Sequence, residues 1–135
     1  MNREQIHEQY EEDEKLREEC GVFGVFARET TDVASLAYYA LYALQHRGQE
    51  ACGIAAINDR EQSFYKDVGL VSEVFDRETL QRLNGTMAGG HVRYATTGAG
   101  ARENAQPLTI KYVKGTLAVV HNGNLVDVAR LRARF

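Results

Sequence analysis

Small apolar residues fill positions 22–27 with little polar interruption, the pattern of a strand covered on both faces, and nineteen mostly polar residues precede Cys20. Downstream, Asp32 stands where a helix cap belongs. Leu36, Tyr39, Ala40, Ala43 and Leu44 recur at three- and four-residue spacing, which predicts a helix running to His46 with Gly48 as its left-handed stop. On that pattern Tyr38, Tyr39 and Tyr42 belong to core or rim rather than to a ligand-stacking surface. Residues 53–57 and 63–66 flank the turn pair Asn58-Asp59 and predict a hairpin, whereas residues 71–83 read as one helix ended by Asn84-Gly85. Strands are expected at 87–94 and 116–121. Between them a loop over 96–108 holds the sole proline, Pro107, and Lys114-Gly115 offers a second hairpin turn. Residues 126–135 read as a basic amphipathic helix.

Length and charge narrow this picture. A chain of 135 residues, 44% of them hydrophobic, can bury one core but not two. The last helix reaches the final residue without Gly, Asn or Pro to end it, so an N-terminal fragment of a longer protein is expected. Residues 1–19 hold eight acids against three bases, while residues 20–135 hold thirteen bases against eleven acids. The net charge of −3 therefore lies in the leader, and no basic face for nucleic acid is implied. The leader lacks the apolar core of a signal peptide and no segment approaches the length of a membrane span, so a cytoplasmic protein is expected. Cys20 and Cys52 form no Cys-x-x-Cys pair and no disulfide framework. His7, His46, His91 and His121 fall at no metal-ligand spacing, and no metal site is expected in this chain. Residues 97–102, Thr-Gly-Ala-Gly-Ala-Arg, lack the Gly-Lys-Ser/Thr ending of a phosphate-binding loop.

Three features carry chemistry. Cys20 heads the first strand. At a cut chain end it would supply nucleophile and base together, because a free α-amine, with a pKa of about 7.7–8.0, can take a proton from a thiol whose pKa is about 8.5. A peptide nitrogen has no basic lone pair, so the leader must first be removed; the competing reading is a buried, inert thiol. His121-Asn122-Gly123-Asn124 follows an apolar run, where a carboxamide and a glycine N–H can converge on one oxyanion, although the same tetrapeptide also makes an ordinary turn. The stretch 90–96 delivers Arg93, whose planar fork suits the α-carboxylate of an amino acid as well as a surface ion pair.

Four motifs, Cys20-Gly21-Val22-Phe23-Gly24, Leu44-Gln45-His46-Arg47-Gly48-Gln49-Glu50, Gly90-His91-Val92-Arg93-Tyr94-Ala95-Thr96 and His121-Asn122-Gly123-Asn124-Leu125, occur in the order seen in the class II, N-terminal-nucleophile glutamine amidotransferases. The chain resembles that family over residues 20–135. Gly69-Leu70-Val71-Ser72-Glu73-Val74-Phe75, Tyr94 and Asn124-Leu125 are similar to its glutamine phosphoribosylpyrophosphate amidotransferase branch, which opens purine synthesis. The resemblance implies an α+β fold, a four-layer αββα sandwich that is incomplete here, preceded by an acidic propeptide at residues 1–19. It implies Cys20 as nucleophile, Asn122 and Gly123 as oxyanion hole, and Arg47 and Gly48 beside the nucleophile. Arg93 would bind the glutamine carboxylate, Tyr94 and Thr96 would line the pocket, and Gln106 would face the substrate. Cys52 is expected to be a small core residue.

The remaining implications lie outside the 135 residues. They are a phosphoribosyltransferase domain taking phosphoribosylpyrophosphate with Mg2+, the acidic residue that grips the glutamine amine, and the ligands of a 4Fe-4S cluster. A homo-oligomer is expected. Two alternatives stay open: another class II enzyme, hexosamine- or asparagine-forming, and a non-enzymatic glutamine-binding regulatory domain.

Overall fold

The computed structural model describes residues 20–28, 32–59, 61–94, 102–123 and 127–134. Strand β1 (Gly21–Phe26) is followed by helix α1 (Val33–Ala43), a 3-10 turn (Gln45–Arg47), β2 (Ala51–Ile57), β3 (Gln62–Val68), short helices α2 (Val71–Val74) and α3 (Arg77–Gln81), and β4 (Met87–Arg93). A second 3-10 turn (Arg102–Asn104) leads into β5 (Leu108–Tyr112) and β6 (Gly115–Val119), and α4 (Val128–Arg132) comes last. The first four strands form one antiparallel sheet in the order β1-β4-β2-β3, and β5 pairs with β6 in a separate two-stranded sheet. The mixed helix and strand content agrees with the α+β expectation.

Alternation along the strands gives the sheet two unlike faces. One carries Phe23, Val25, Cys52, Ile54, Ala56, Ala88 and Val92 and packs under α1–α3 to form the core. The helix sits close because β4 offers no side chain beneath it at Gly90, where an added Cβ would lie 2.8 Å from Leu41 Cδ1. The opposite face carries Val22, Phe26, Phe64, Val68 and Met87, all exposed, and the Gln106 main chain, just ahead of β5, lies against it at Gly53. Thus β1 is covered on one face only within the described residues, not on both as its apolar run suggests.

Several other expectations shift. Helix α1 buries Val33, Ala34, Ala37 and Leu41, while Leu36 and Tyr39 of the expected apolar side are exposed, as is Tyr42. The helix is apolar nearly all round, so small residues, which permit close approach to the sheet, decide which side goes down. Its cap is as expected, with Asp32 Oδ1 accepting from Ser35 N at 2.9 Å. Gly48 is extended (φ −163°), not left-handed. Glycine is needed there for space, since a Cβ would lie 2.6–2.7 Å from main-chain atoms of Val92 and Arg93. The single helix expected over 71–83 is two, because Asp76 leaves the helical conformation to cap α3, its Oδ1 accepting from Thr79 N at 2.7 Å. Strand β5 begins at Leu108, where the expected loop ends, and its register with β6 places the turn at Val113-Lys114 ahead of Gly115 (φ 132°). The Asn58 hairpin is present, with Asn58 Oδ1 accepting from Glu61 N at 2.7 Å.

Candidate active site

Cys20 is the residue immediately before β1, and because Gly21 lies across from Val92, it falls beside the β4 end at Arg93 and Tyr94. Its Sγ accepts from Tyr94 N at 3.3 Å and stands 3.6 Å from Tyr94 O. Two side chains from distant segments reach its carbonyl: Asn122 Nδ2 at 2.6 Å and Arg47 Nε at 3.4 Å. Arg47 is delivered by the 3-10 turn after α1, and Asn122 by the loop that leaves β6. The thiol is partly exposed, in contrast to Cys52, which is fully buried with Sγ 3.7 Å from Gly69 O. Burial, with Asp67 and Glu73 adding negative charge nearby, pushes the Cys52 thiol up to about 12, so it has no thiolate at neutral pH and is a core residue.

Arg93 ends β4 on the same sheet face as Cys20. Its guanidinium is nearly enclosed, with NH1 3.8 Å from Glu50 Oε2, and the Glu50 N–H bonds to Arg93 O at 3.2 Å. The fork is thus oriented but not saturated, because NH1 and Glu50 Oε2 are buried without a hydrogen-bond partner among the described residues. Gly48 lets the 3-10 turn press against the Arg93 main chain, which brings Arg47 and Arg93 to one place. Gln45 locks that turn: its Nε2 donates to Gly48 O at 2.6 Å and its Oε1 accepts from Val71 N at 2.7 Å. A guanidinium and a carboxamide on the Cys20 carbonyl, with Arg93 on the same sheet face, make a site suited to an anionic substrate attacked at a carbonyl.

Most of the residues predicted from sequence converge here. Cys20, Arg47, Gly48, Arg93, Asn122 and the backbone of Tyr94 lie together, while the Tyr94 ring is half exposed. Gly123 (φ 150°) has a backbone that side-chain-bearing residues rarely adopt, and a Cβ there would lie 3.0 Å from His121 Cε1 and Nε2. Gln106 does not reach Cys20; its carboxamide is engaged with the main chain of His121. Thr96 lies outside the described residues, as do Asn124, Leu125 and residues 97–101 and 1–19. Glu50, Gln45 and His91, which also fall inside the quoted motifs, pack around the candidate site without having been expected there. His91 is fully buried one pleat from Arg93 on the same face, and neither ring nitrogen makes a well-formed hydrogen bond among the described residues. Burial pushes its pKa down to about 4, with the charge of Arg93 contributing and a weak approach to the His121 backbone opposing.

Comparison with known proteins adds to this geometry. No family model matches the chain. It is 57% identical over 119 residues to the amidophosphoribosyltransferase of Mycobacterium tuberculosis (strain ATCC 25618 / H37Rv), covering 87% of this chain and 22% of that relative. The chain is a homologue of the N-terminal part of amidophosphoribosyltransferases. Among solved structures, one described as the allosteric regulatory enzyme of purine biosynthesis superposes with a TM-score of 0.77 at 44% identity, covering 84% of this chain and 24% of that one. The glutamine phosphoribosylpyrophosphate amidotransferase of B. subtilis, complexed with ADP and GMP, superposes with a TM-score of 0.73 at 42% identity and the same coverage. The fold is accordingly that of the amidophosphoribosyltransferase glutaminase domain, the N-terminal-nucleophile type, with its sheets only partly represented. The chain spans between 22% and 24% of the length of these relatives.

Proposed function

We propose that the chain carries the glutaminase site of a glutamine amidotransferase in which Cys20, once residues 1–19 are removed, is the nucleophile. The observation that carries this is the convergence on Cys20 of Asn122, Arg47 and the Tyr94 backbone from three separate segments. The freed amine takes the thiol proton, and sulfur attacks the side-chain carboxamide carbon of glutamine. The carbonyl π electrons move to oxygen, and Asn122 with Gly123 N–H stabilises that oxyanion. The ammonium then returns its proton to the departing nitrogen, ammonia leaves, and water hydrolyses the glutamyl thioester to glutamate. Arg93, aligned by Glu50, holds the substrate α-carboxylate. Arg47 keeps the Cys20 carbonyl fixed so that sulfur and amine stay aligned.

In the full-length protein the ammonia is passed to phosphoribosylpyrophosphate, displacing pyrophosphate to give 5-phosphoribosylamine for purine synthesis; the family placement supports this acceptor. Two cysteines cannot supply the four thiolates of a 4Fe-4S cluster, and no group of three or more His, Cys, Asp or Glu gathers among the described residues. We place any cluster, and the Mg2+ that accompanies phosphoribosylpyrophosphate, in other parts of the full-length protein, as the likeness to amidophosphoribosyltransferases suggests. No helix among the described residues is long and apolar enough to cross a membrane. Full-length, leader-free protein given glutamine, phosphoribosylpyrophosphate and Mg2+ should release glutamate and pyrophosphate in equal amounts. Glutamate without pyrophosphate would refute the acceptor, and no glutamate would refute the glutaminase.

A further inference from the structure

Gln106 makes no hydrogen bond with Cys20 among the described residues, yet its own position is tightly anchored. Its neighbours Ala105 and Pro107 are buried. Ala105 O accepts from Lys66 Nζ at 2.5 Å, and the Gln106 carbonyl lies over Gly53 so closely that any Cβ there would overlap it. From this anchored position the carboxamide meets one residue twice: Oε1 accepts from His121 N at 2.6 Å, and Nε2 donates to His121 O at 3.1 Å. Gripping both polar groups of one residue fixes it against sliding and rotation, as a rung of a β ladder does. The next residue is Asn122, whose Nδ2 lies 2.6 Å from the Cys20 carbonyl. The grip matters because His121 and Asn122 follow the end of β6 and are exposed, with no sheet partner among the described residues to hold them.

We propose that Gln106 is a positioning residue for glutamine hydrolysis: by pairing with both main-chain groups of His121 it holds the Asn122 carboxamide in place beside Cys20. The inference rests on the glutaminase reading above and departs from the expectation that Gln106 faces the substrate. A residue acting through Asn122 lowers kcat and leaves glutamine binding alone, whereas a residue touching glutamine raises KM.

The test uses full-length, leader-free protein and steady-state glutamine hydrolysis. Gln106→Ala should lower kcat about 10- to 100-fold, the range expected when a catalytic group is displaced by an ångström, with KM changed less than about threefold. In an Asn122→Ala background the same substitution should cost less than about threefold, because the group it positions is gone. Gln106→Glu keeps the acceptor for His121 N but cannot donate to His121 O. It should lose kcat as well, and it decides the matter if the alanine variant does not fold. Wild-type kcat in Gln106→Glu, a raised KM at unchanged kcat, or full additivity with Asn122→Ala would each overturn the proposal. If the wild-type protein itself fails to hydrolyse glutamine, the glutaminase reading falls and this inference with it. Active wild-type protein with an impaired Asn122→Ala variant and an unaffected Gln106 variant overturns this inference alone.

Discussion

Lowering the pH from 7 to 4 should destabilise the folded protein through His91, and the size of the effect follows from its surroundings. The imidazole is fully buried, Arg93 lies on the same face, and the ring pKa falls from 6.5 to about 4. Well above pH 6.5 the ring is neutral in both the folded and the unfolded chain, so His91 imposes no penalty. Between 6.5 and 4 the unfolded chain takes up a proton that the folded chain refuses, so stability present above 6.5 is lost as pH falls, and the loss levels off below 4. The difference corresponds to roughly 3 kcal/mol. Other groups also respond to acid, so the measurement is a comparison: urea denaturation of the wild-type protein and of His91→Gln at several pH values. The wild type should lose roughly 3 kcal/mol more than the variant over this interval. Deuterium exchange at the imidazole C2 position, read by mass spectrometry on the peptide holding His91, should report the depressed pKa directly. Equal pH slopes in the two proteins, or a His91 titration near 6.5, would refute the reasoning.

Replacing Gly48 with Ala should cost about 1–3 kcal/mol of stability in thermal denaturation, because the added Cβ would lie 2.6–2.7 Å from main-chain atoms that cannot swing aside. The same change should reduce glutamine hydrolysis by moving Arg47 away from Cys20; unchanged stability and rate would show that the close approach is not needed. Asn122→Ala should lower kcat for glutamine hydrolysis about 100- to 1000-fold in leader-free protein, the effect of losing one oxyanion donor. Wild-type turnover in that variant would remove Asn122 from the mechanism.

Much of the site was legible because its chemistry is concentrated in short motifs. Cys20, Arg47, Arg93 and Asn122 stand in four separate motifs, and the fold brings all four together. Partnerships across the fold were less legible. Glu50 beside Arg93 and Gln106 on His121 depend on which strands neighbour which, and single-chain periodicity does not encode strand order. At Gly48 the sequence calls for glycine without saying why, since a turn and a close main-chain approach both require it, and only the packed structure separates them. The buried face of α1 is hidden in the sequence on similar grounds. An apolar helix with tyrosines on several sides has no strong preference in its sequence, and the glycine at position 90 beneath Leu41 settles it. The break at Asp76 carried a sequence signal, an acid three residues ahead of Thr79, that the long apolar pattern over 71–83 concealed.

The claim that Cys20 is the nucleophile is tested most directly by treating leader-free, full-length protein with an electrophilic glutamine analogue and locating the adduct by peptide mass spectrometry. One adduct per chain on Cys20 is expected, with loss of glutamine hydrolysis in step with labelling and protection by excess glutamine. An adduct elsewhere, or hydrolysis that survives complete labelling of Cys20, would contradict the account.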